Sequence, residues 1–282
     1  MNIARSIEEA KHLRQALPES VGFVPTMGSL HEGHLSLVRQ AAAGNRSVVA
    51  SLFVNPMQFG PSEDYVAYPR DLERDLSLLE AEGTNFVFVP DEAVLYPPGY
   101  DTWVDIGELG TRLEGASRPG HFRGVVTVVT KLFHIVRPQR AYFGEKDAQQ
   151  LLAIRNLNAD LNFGIEIVGC PIVRDPDGIA MSSRNAYLSP QQRKQATVLS
   201  RSLILATDLW RSGERDAEAI RDAMERLICA EPEASLDYIS IAAQDTMLEI
   251  SRLDGPTLIS LAVRIGKTRL IDNTRVPPGY PG

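Results

Sequence analysis

Several absences narrow the field before any residue is assigned a role. The 282-residue chain carries only two cysteines, Cys170 and Cys229. They form no CxxC pair, so neither a disulfide framework nor a cysteine-based zinc site is indicated, and a reducing, cytoplasmic setting is expected. No stretch approaches the continuous apolar length of a membrane span. The opening "MNIARSIEEAKHLRQ" is charged and lacks the apolar core of a secretory signal. Basic charge is not in excess: 29 Lys and Arg face 36 Asp and Glu, a net charge of −7. A broad nucleic-acid-binding surface is therefore not expected. Internal repeats, a GxxxxGK[ST] phosphate loop and a GxSxG nucleophile elbow are all missing.

What is present is ordinary for a soluble globular protein: 44% hydrophobic and 23% charged residues, enough for a large core. Ser6 followed by Glu9 predicts a capping box opening a helix. "VGFV" (21–24) reads as a buried strand, Leu35, Val38 and Ala42 as one face of a helix, and "SVVASLFV" (47–54) as a second strand. That is a βαβ unit, with parallel pairing. "DLERDLSLLEAEG" continues the pattern as a helix, "FVFVP" and "AYFG" as strands, 147–161 as a helix and "IEIVGCPIV" as a strand. Val125, Val128, Val129, Leu132 and Val136 share a helical face, although so many β-branched residues leave a strand as the alternative. The expected fold is α/β, a doubly wound, Rossmann-like parallel sheet over residues 1–176. After the turn "RDPDG" the texture changes. Ser189-Pro190 signals a helix start, long helices run to about Ile228, and "SLDYISIA", "TLISLAVRIG" and "TRLIDN" read as strands. A smaller α+β domain over 177–282 is expected, with "VPPGYPG" as a frayed tail.

The stretch "PTMGSLHEGH" (25–34) lies between the first of these strands and the helix that follows. In a doubly wound sheet that is the carboxyl edge, where ligands bind. Gly28 and Gly33 allow close backbone approach, and the helix start offers free N–H groups to a phosphate. His31 and His34, three apart, are expected on one helical face, able to donate to a phosphoryl group as charge develops. A glycine-punctuated turn with two surface histidines is the plainer alternative. Asn55 and Gln58 in "NPMQFG" suit substrate orientation. Lys146 in "FGEKDAQQ" is a point charge for phosphate, and Asp147 a helix cap. "MSSRN" (181–185) offers two hydroxyls and a guanidinium. In "RPGHFRG", His121 reads as structural, and Arg118 or Arg123 as a candidate to steer an acid.

The histidine stretch resembles the HxGH signature of the nucleotidylyltransferase superfamily. Together with "FVNPMQFGPSEDYVAYPR", "RPGHFRGVVTVV", "AYFGEKDAQQ" and "DGIAMSSRNAYL", the chain resembles the pantoate–β-alanine ligase (pantothenate synthetase) family from about residue 3 to 275. The resemblance implies ATP-dependent condensation of pantoate with β-alanine to pantothenate, a coenzyme A precursor. The route it implies is a pantoyl adenylate, with AMP and pyrophosphate released. It implies His34, His31 and Lys146 as catalytic. It implies ATP contacts at Met27, Gly28, Ser29, Leu30, His31, Glu32, Gly33 and His34, at Gly144, Glu145, Lys146 and Asp147, at Val173 on the adenine side, and at Met181, Ser182, Ser183 and Arg184. Gln58 would contact pantoate and β-alanine, and Gln150 pantoate. Asp75 falls at an acidic position associated with Mg²⁺, but its neighbour here is Arg74, so Mg²⁺ would be held mostly by phosphate and water. A helix-surface charge is the alternative for Asp75. The partners are small molecules, with neither nucleic acid nor membrane, and the resemblance suggests a homodimer. Two rivals stay open: another adenylyl-transferring enzyme, and a nucleotide-binding sensor that keeps the fold without the chemistry.

Overall fold

The computed structural model describes residues 1–61 and 63–278. The chain divides into two compact units. Unit 1 comprises Met1–Glu145 and Gln149–Pro171, and unit 2 comprises Lys146–Ala148 and the chain from Ile172 onward.

Unit 1 is built on six parallel strands: β1 (Asn2–Ala4), β2 (Val21–Thr26), β3 (Ser47–Leu52), β4 (Phe86–Phe88), β5 (Arg140–Gly144) and β6 (Glu166–Cys170). Their order in the sheet is β1-β4-β3-β2-β5-β6. The helices are α1 (Ile7–Gln15), α2 (Glu32–Gly44), α3 (Leu72–Ala81), α4 (Glu92–Leu95), α5 (Glu114–Ser117), α6 (His121–Val136) and α7 (Ala148–Asp160). The central strands are buried on both faces (β3 is wholly buried), as parallel strands covered by helices must be. The expected capping box closes: Ser6 Oγ accepts from Glu9 N at 3.1 Å, and the Glu9 carboxylate accepts from Ser6 N at 3.2 Å. α6 is a helix rather than a strand, with Val125, Val128, Val129, Leu132 and Val136 all buried. The structure departs from the sequence-based expectations at several points, the short helices α4 and α5 among them. It adds the edge strand β1, which is too short to show a pattern. His31 caps α2 with extended backbone (φ −134°) instead of sharing its helical face. Asp147 closes a 3-10 turn, Glu145–Asp147, ahead of α7.

β2 sits where the chain reverses its direction across the sheet. β3 and β4 follow on one side, β5 and β6 on the other, which makes the gap beyond the carboxyl ends of β2 and β5 the topological switch point. Pro25 offers β5 no donor there. Val21 directs both its N–H and its C=O toward Gln139, just ahead of β5. Strand alternation turns the main chain of Phe23 and Pro25 the same way. Proline has no N–H to give, and the β2–β5 register ends at Phe23↔Ala141.

Unit 2 contains α8 (Pro190–Ala196), α9 (Val198–Arg211) and α10 (Ala217–Cys229). An antiparallel sheet of β7 (Ala234–Ala243), β8 (Thr257–Ile265) and β9 (Thr268–Val276) completes it. Its core joins Val198, Leu203, Ile220, Met224 and Ile228 of the helices to Ile241, Ile259, Leu261 and Val263 of the sheet. Ser189 caps α8, its Oγ accepting from Gln192 N at 3.2 Å, with Pro190 first in the helix. The tail beyond Pro278 lies outside the described residues.

Candidate functional site

The loop from Met27 to His31 joins β2 to α2 at the switch point, and its shape is dictated by left-handed backbone. Gly28 has φ +81° and Ser29 has φ +52°. A Cβ on Gly28 would lie 2.9 Å from Asp75 Oδ2, so glycine is required on both conformational and steric grounds. Asp75 is the loop's anchor. Its Oδ2 accepts from Ser29 N at 2.7 Å and its Oδ1 from Leu30 N at 2.8 Å. The neighbouring Arg74 donates from Nη1 to Leu30 O at 2.9 Å. Consecutive residues of α3 thus hold the main chain of Ser29 and Leu30.

Asp75 is 2% exposed, so the surface-charge alternative is incorrect. Burial raises its pKa, and the two N–H groups act in the opposite sense. Each Asp75 oxygen accepts one main-chain N–H, so the carboxylate serves the loop whether or not a metal ion is near. Among the described residues no group of three or more His, Cys, Asp or Glu is placed to hold a metal ion.

The loop's N–H groups divide into those used and those offered. Gly28 N donates to Thr26 Oγ1 at 3.2 Å, and Ser29 and Leu30 donate to Asp75. His31 N donates to His34 Nδ1 at 3.4 Å. Glu32 and Gly33, the first two residues of α2, point their N–H groups out of the helix start, where an anion is favoured. The Glu32 carboxylate is exposed and paired with Arg39, Nη2 donating at 3.1 Å, so Glu32 offers an anion its main chain rather than its side chain. The His31 and His34 rings stack at a centroid distance of 4.0 Å, both half-buried.

Gln58 lies beside this loop, its Nε2 donating to Met27 Sδ at 3.2 Å. It is held from behind by a buried network. Asn55 Nδ2 donates to Gln58 Oε1 and to Gly124 O, both at 3.1 Å, and Tyr96 OH donates to Asn55 Oδ1 at 2.9 Å. α6 can approach this turn only because residue 124 is glycine. A Cβ there would stand 2.1 Å from Met57 O. His121 is structural, as its setting suggested: buried, with Nδ1 2.8 Å from Gln58 O. Arg118 is committed to Glu63, donating from Nε at 2.7 Å and from Nη2 at 2.6 Å. Arg123 lies over the Trp103 ring at 4.5 Å. Arg118 is therefore not a free acid-steering charge, whereas Arg123 is exposed. Gln150 is half-buried on α7. Its neighbour Gln149 is spent on structure, accepting from Glu114 N at 3.0 Å and donating to Leu109 O and Arg112 O at 2.8 Å.

β5 ends on Gly144, with Glu145 next, at the same carboxyl edge. In unit 2, Lys146 is half-buried with its Nζ 3.5 Å from Asp147 Oδ1. Residues 173–181 form a hairpin in which Met181 N donates to Val173 O at 2.9 Å, bringing those two candidates together. Ser182 caps the turn Ser183–Tyr187, its Oγ accepting from Arg184 N at 3.3 Å. The anchoring roles of Arg74 and Asp75 carry no local sequence signal, because their partners Ser29 and Leu30 are far away in the chain.

A loop with left-handed backbone closes on a helix start at the switch point beside two paired histidines, and such a helix start favours an anion. The profile of the family described as pantoate-beta-alanine ligase matches residues 2–275. The chain belongs to the pantoate–β-alanine ligase family. Among curated relatives of this ligase, pantothenate synthetase of Roseiflexus castenholzii is 58% identical over 97% of this chain and 98% of its own. That of Thermotoga neapolitana is 52% identical over 97% and 99%. The crystal structure of pantothenate synthetase from Thermus thermophilus superposes with a TM-score of 0.92 at 50% identity, covering 97% of this chain and 98% of that one. Pantoate-β-alanine ligase from Francisella tularensis, described as complexed with β-γ ATP and β-alanine, gives 0.80 at 36% identity, covering 99% of both. The ligase family thus accounts for both units, the parallel sheet and the small antiparallel one. Among the described residues no helix is long and apolar enough to cross a membrane.

Proposed function

We propose that this ligase condenses pantoate with β-alanine in two steps at the expense of ATP. In the first, a pantoate carboxylate oxygen attacks the α-phosphorus of ATP, the bond from that phosphorus to the α,β-bridging oxygen breaks, and pyrophosphate leaves. In the second, the β-alanine amine attacks the acyl carbon, AMP leaves with the bonding pair, and the amine loses a proton. A carboxylate does not form an amide with water as leaving group, whereas AMP leaves readily. Neither step asks for a protein nucleophile, so positioning and charge stabilisation carry the rate.

The observation that carries this reading is the loop at the switch point. The first two N–H groups of α2, at Glu32 and Gly33, and the paired rings of His31 and His34 lie at one helix start, and Met27 at the head of the same loop meets Gln58. The histidines would donate to phosphoryl oxygens as charge develops, His34 from the first turn of α2. Met27, Gly28, Ser29 and Leu30 would shape the nucleotide's bed. Gln58, already oriented by Asn55, would present its amide to pantoate and β-alanine, and Gln150 its own to pantoate. Gly144, Glu145, Lys146, Asp147, Val173, Met181, Ser182, Ser183 and Arg184 are proposed as the remaining ATP contacts, with Lys146 and Arg184 as the phosphate cations. Support for ATP and β-alanine as ligands comes from the Francisella tularensis relative, described with both bound. Mg²⁺ is proposed to arrive with the nucleotide, held mostly by phosphate and water, as this ion often is. A cytoplasmic homodimer belongs to the same proposal.

The test is the nucleotide product together with isotope exchange. Enzyme, Mg·ATP and pantoate should exchange labelled pyrophosphate into ATP with β-alanine omitted, and adding β-alanine should yield pantothenate and AMP. ADP as product would indicate γ-phosphoryl transfer and overturn the reading. ATP binding without any AMP would leave a sensor.

A further inference from the structure

We propose that Asp272 and Asn273, adjacent on β9, are positioning residues that set two nucleotide-binding segments of unit 2, Lys146–Asp147 and Val173–Arg184. The inference rests on the proposed assignment of those segments to ATP. β9 is the last strand of the antiparallel sheet and would need only apolar side chains to pack. At this step it carries two buried polar ones, at 2% and 4% exposure.

The Asp272 carboxylate grips Arg174 with both oxygens. Arg174 Nη1 donates to Oδ2 at 2.6 Å and Nη2 to Oδ1 at 3.0 Å, while Oδ1 also accepts from Asn273 N at 2.8 Å. Arg174 passes the constraint on, because Nη1 also donates to Gly178 O at 3.1 Å across the turn of the hairpin. Gly178 has φ +88°, a conformation the turn demands. The same hairpin carries Val173 and Met181, paired through their main chain, and runs directly into Ser182–Arg184. Its tip is held separately: Arg193 Nη2 donates to Asp175 at 2.7 Å and Nε to Asp177 at 2.8 Å.

Asn273 reaches the other segment. Its Nδ2 donates to Lys146 O at 2.9 Å. Lys146 stands between Glu145 and Asp147 in a 3-10 turn, so fixing its carbonyl fixes where its side chain starts. Successive strand residues point to opposite faces, and one step of β9 therefore holds the lysine segment and the hairpin in register. Arg174 is half-buried and only Asp272 fully so, and such a bidentate pair contributes little net stability, its value lying in defining geometry.

The test uses the full-length enzyme and compares wild type with Asn273→Ala, Asn273→Asp, Asp272→Asn and Arg174→Lys. Calorimetric Kd for ATP alone, KM for each substrate and thermal midpoints are measured together. Asn273→Asp keeps the shape and removes the donor. Both Asn273 variants should weaken ATP binding and raise KM for ATP by about tenfold or more, as expected when a buried carbonyl loses its donor. KM for pantoate and β-alanine should stay within about twofold. Arg174→Lys keeps the charge, loses the fork and should move ATP in the same direction. Should Asp272→Asn fail to fold, the Asn273 and Arg174 variants still decide. Unchanged ATP affinity in folded Asn273 variants would overturn the proposal, as would an equal rise in all three KM values or wild-type behaviour of Asn273→Asp. A wild type that binds ATP but makes no pantothenate would refute the reaction, while the Kd comparison would still decide the positioning role. A wild type that does not bind ATP would refute both.

Discussion

His121 Nδ1 lies 2.8 Å from the carbonyl oxygen of Gln58, and on its other side Nε2 lies 3.1 Å from Arg118 Nη1. A carbonyl only accepts and a guanidinium only donates, so the ring is neutral, with its proton on Nδ1. A second proton on Nε2 would face a cation. Burial, followed by the Arg118 charge, pushes the His121 pKa down to about 4 from an ordinary 6.5.

The consequence is a pH-dependent stability with a definite sign. The unfolded histidine takes up a proton below about 6.5, and the folded one resists until about 4. The contribution is therefore complete above about pH 6.5 and is lost as pH falls toward 4, by up to ~3 kcal/mol. Thermal midpoints between pH 4 and 7.5 should fall more steeply for wild type than for His121→Gln. Parallel curves would show that this histidine does not govern the response.

His34→Ala should slow adenylate formation by roughly a hundredfold or more, the range for losing one preorganised donor. The half-buried ring lies at a helix start rather than in the core, so folding should survive. Pyrophosphate exchange and a melting curve check the two halves of this statement. A folded variant with near-wild-type exchange would remove His34 from the mechanism.

Gly124→Ala should be costly for a change of one methyl group. The added carbon would meet Met57 O at 2.1 Å and Gln58 N at 2.7 Å, main-chain atoms that cannot swing aside. A destabilisation of about 1–3 kcal/mol or more is expected, with a rise in KM for pantoate and β-alanine as Gln58 shifts. Denaturant melts and steady-state kinetics measure both, and a neutral result would contradict the packing.

Asp75→Asn tests the loop anchor. The amide cannot accept from both Ser29 N and Leu30 N, and one N–H is left facing an NH₂ group. The expected loss is on the order of 1–3 kcal/mol in stability, together with a fall in kcat as the histidine loop shifts. Wild-type melting and turnover in this variant would show that the loop holds its shape without the carboxylate.

Much of this molecule is legible from local pattern. The buried runs of β2, β3 and β4, the Ser6–Glu9 box and the Ser189-Pro190 start are written in neighbouring residues, and the structure has each of them. The valine-rich stretch 121–136 leaves helix and strand open because β-branched residues suit both. Its buried face settles it as α6. β1 escapes notice because three residues show no period, and only pairing with β4 makes them a strand. The candidate site divides in the same way. The HxGH stretch announces itself by composition. What shapes it does not: Asp75 looks like any acid on an amphipathic helix until its two main-chain partners, Ser29 and Leu30, are in place far back in the chain. His31 falls one position outside the helix that spacing alone assigns it to, at a boundary where a cap and a first turn are hard to tell apart.

The passage of Lys146–Ala148 into unit 2 means that the chain does not visit its units one after the other. It enters the second for three residues, returns to lay down α7 and β6, and leaves again at Ile172. A cut at residue 171 would separate Asn273 from the carbonyl it holds, and a cut at 145 would strip the sheet of its last strand. Neither unit is therefore a cassette that gene fusion or shuffling can lift out whole. A lineage exchanging the second unit would have to carry over a short splice from the middle of the first.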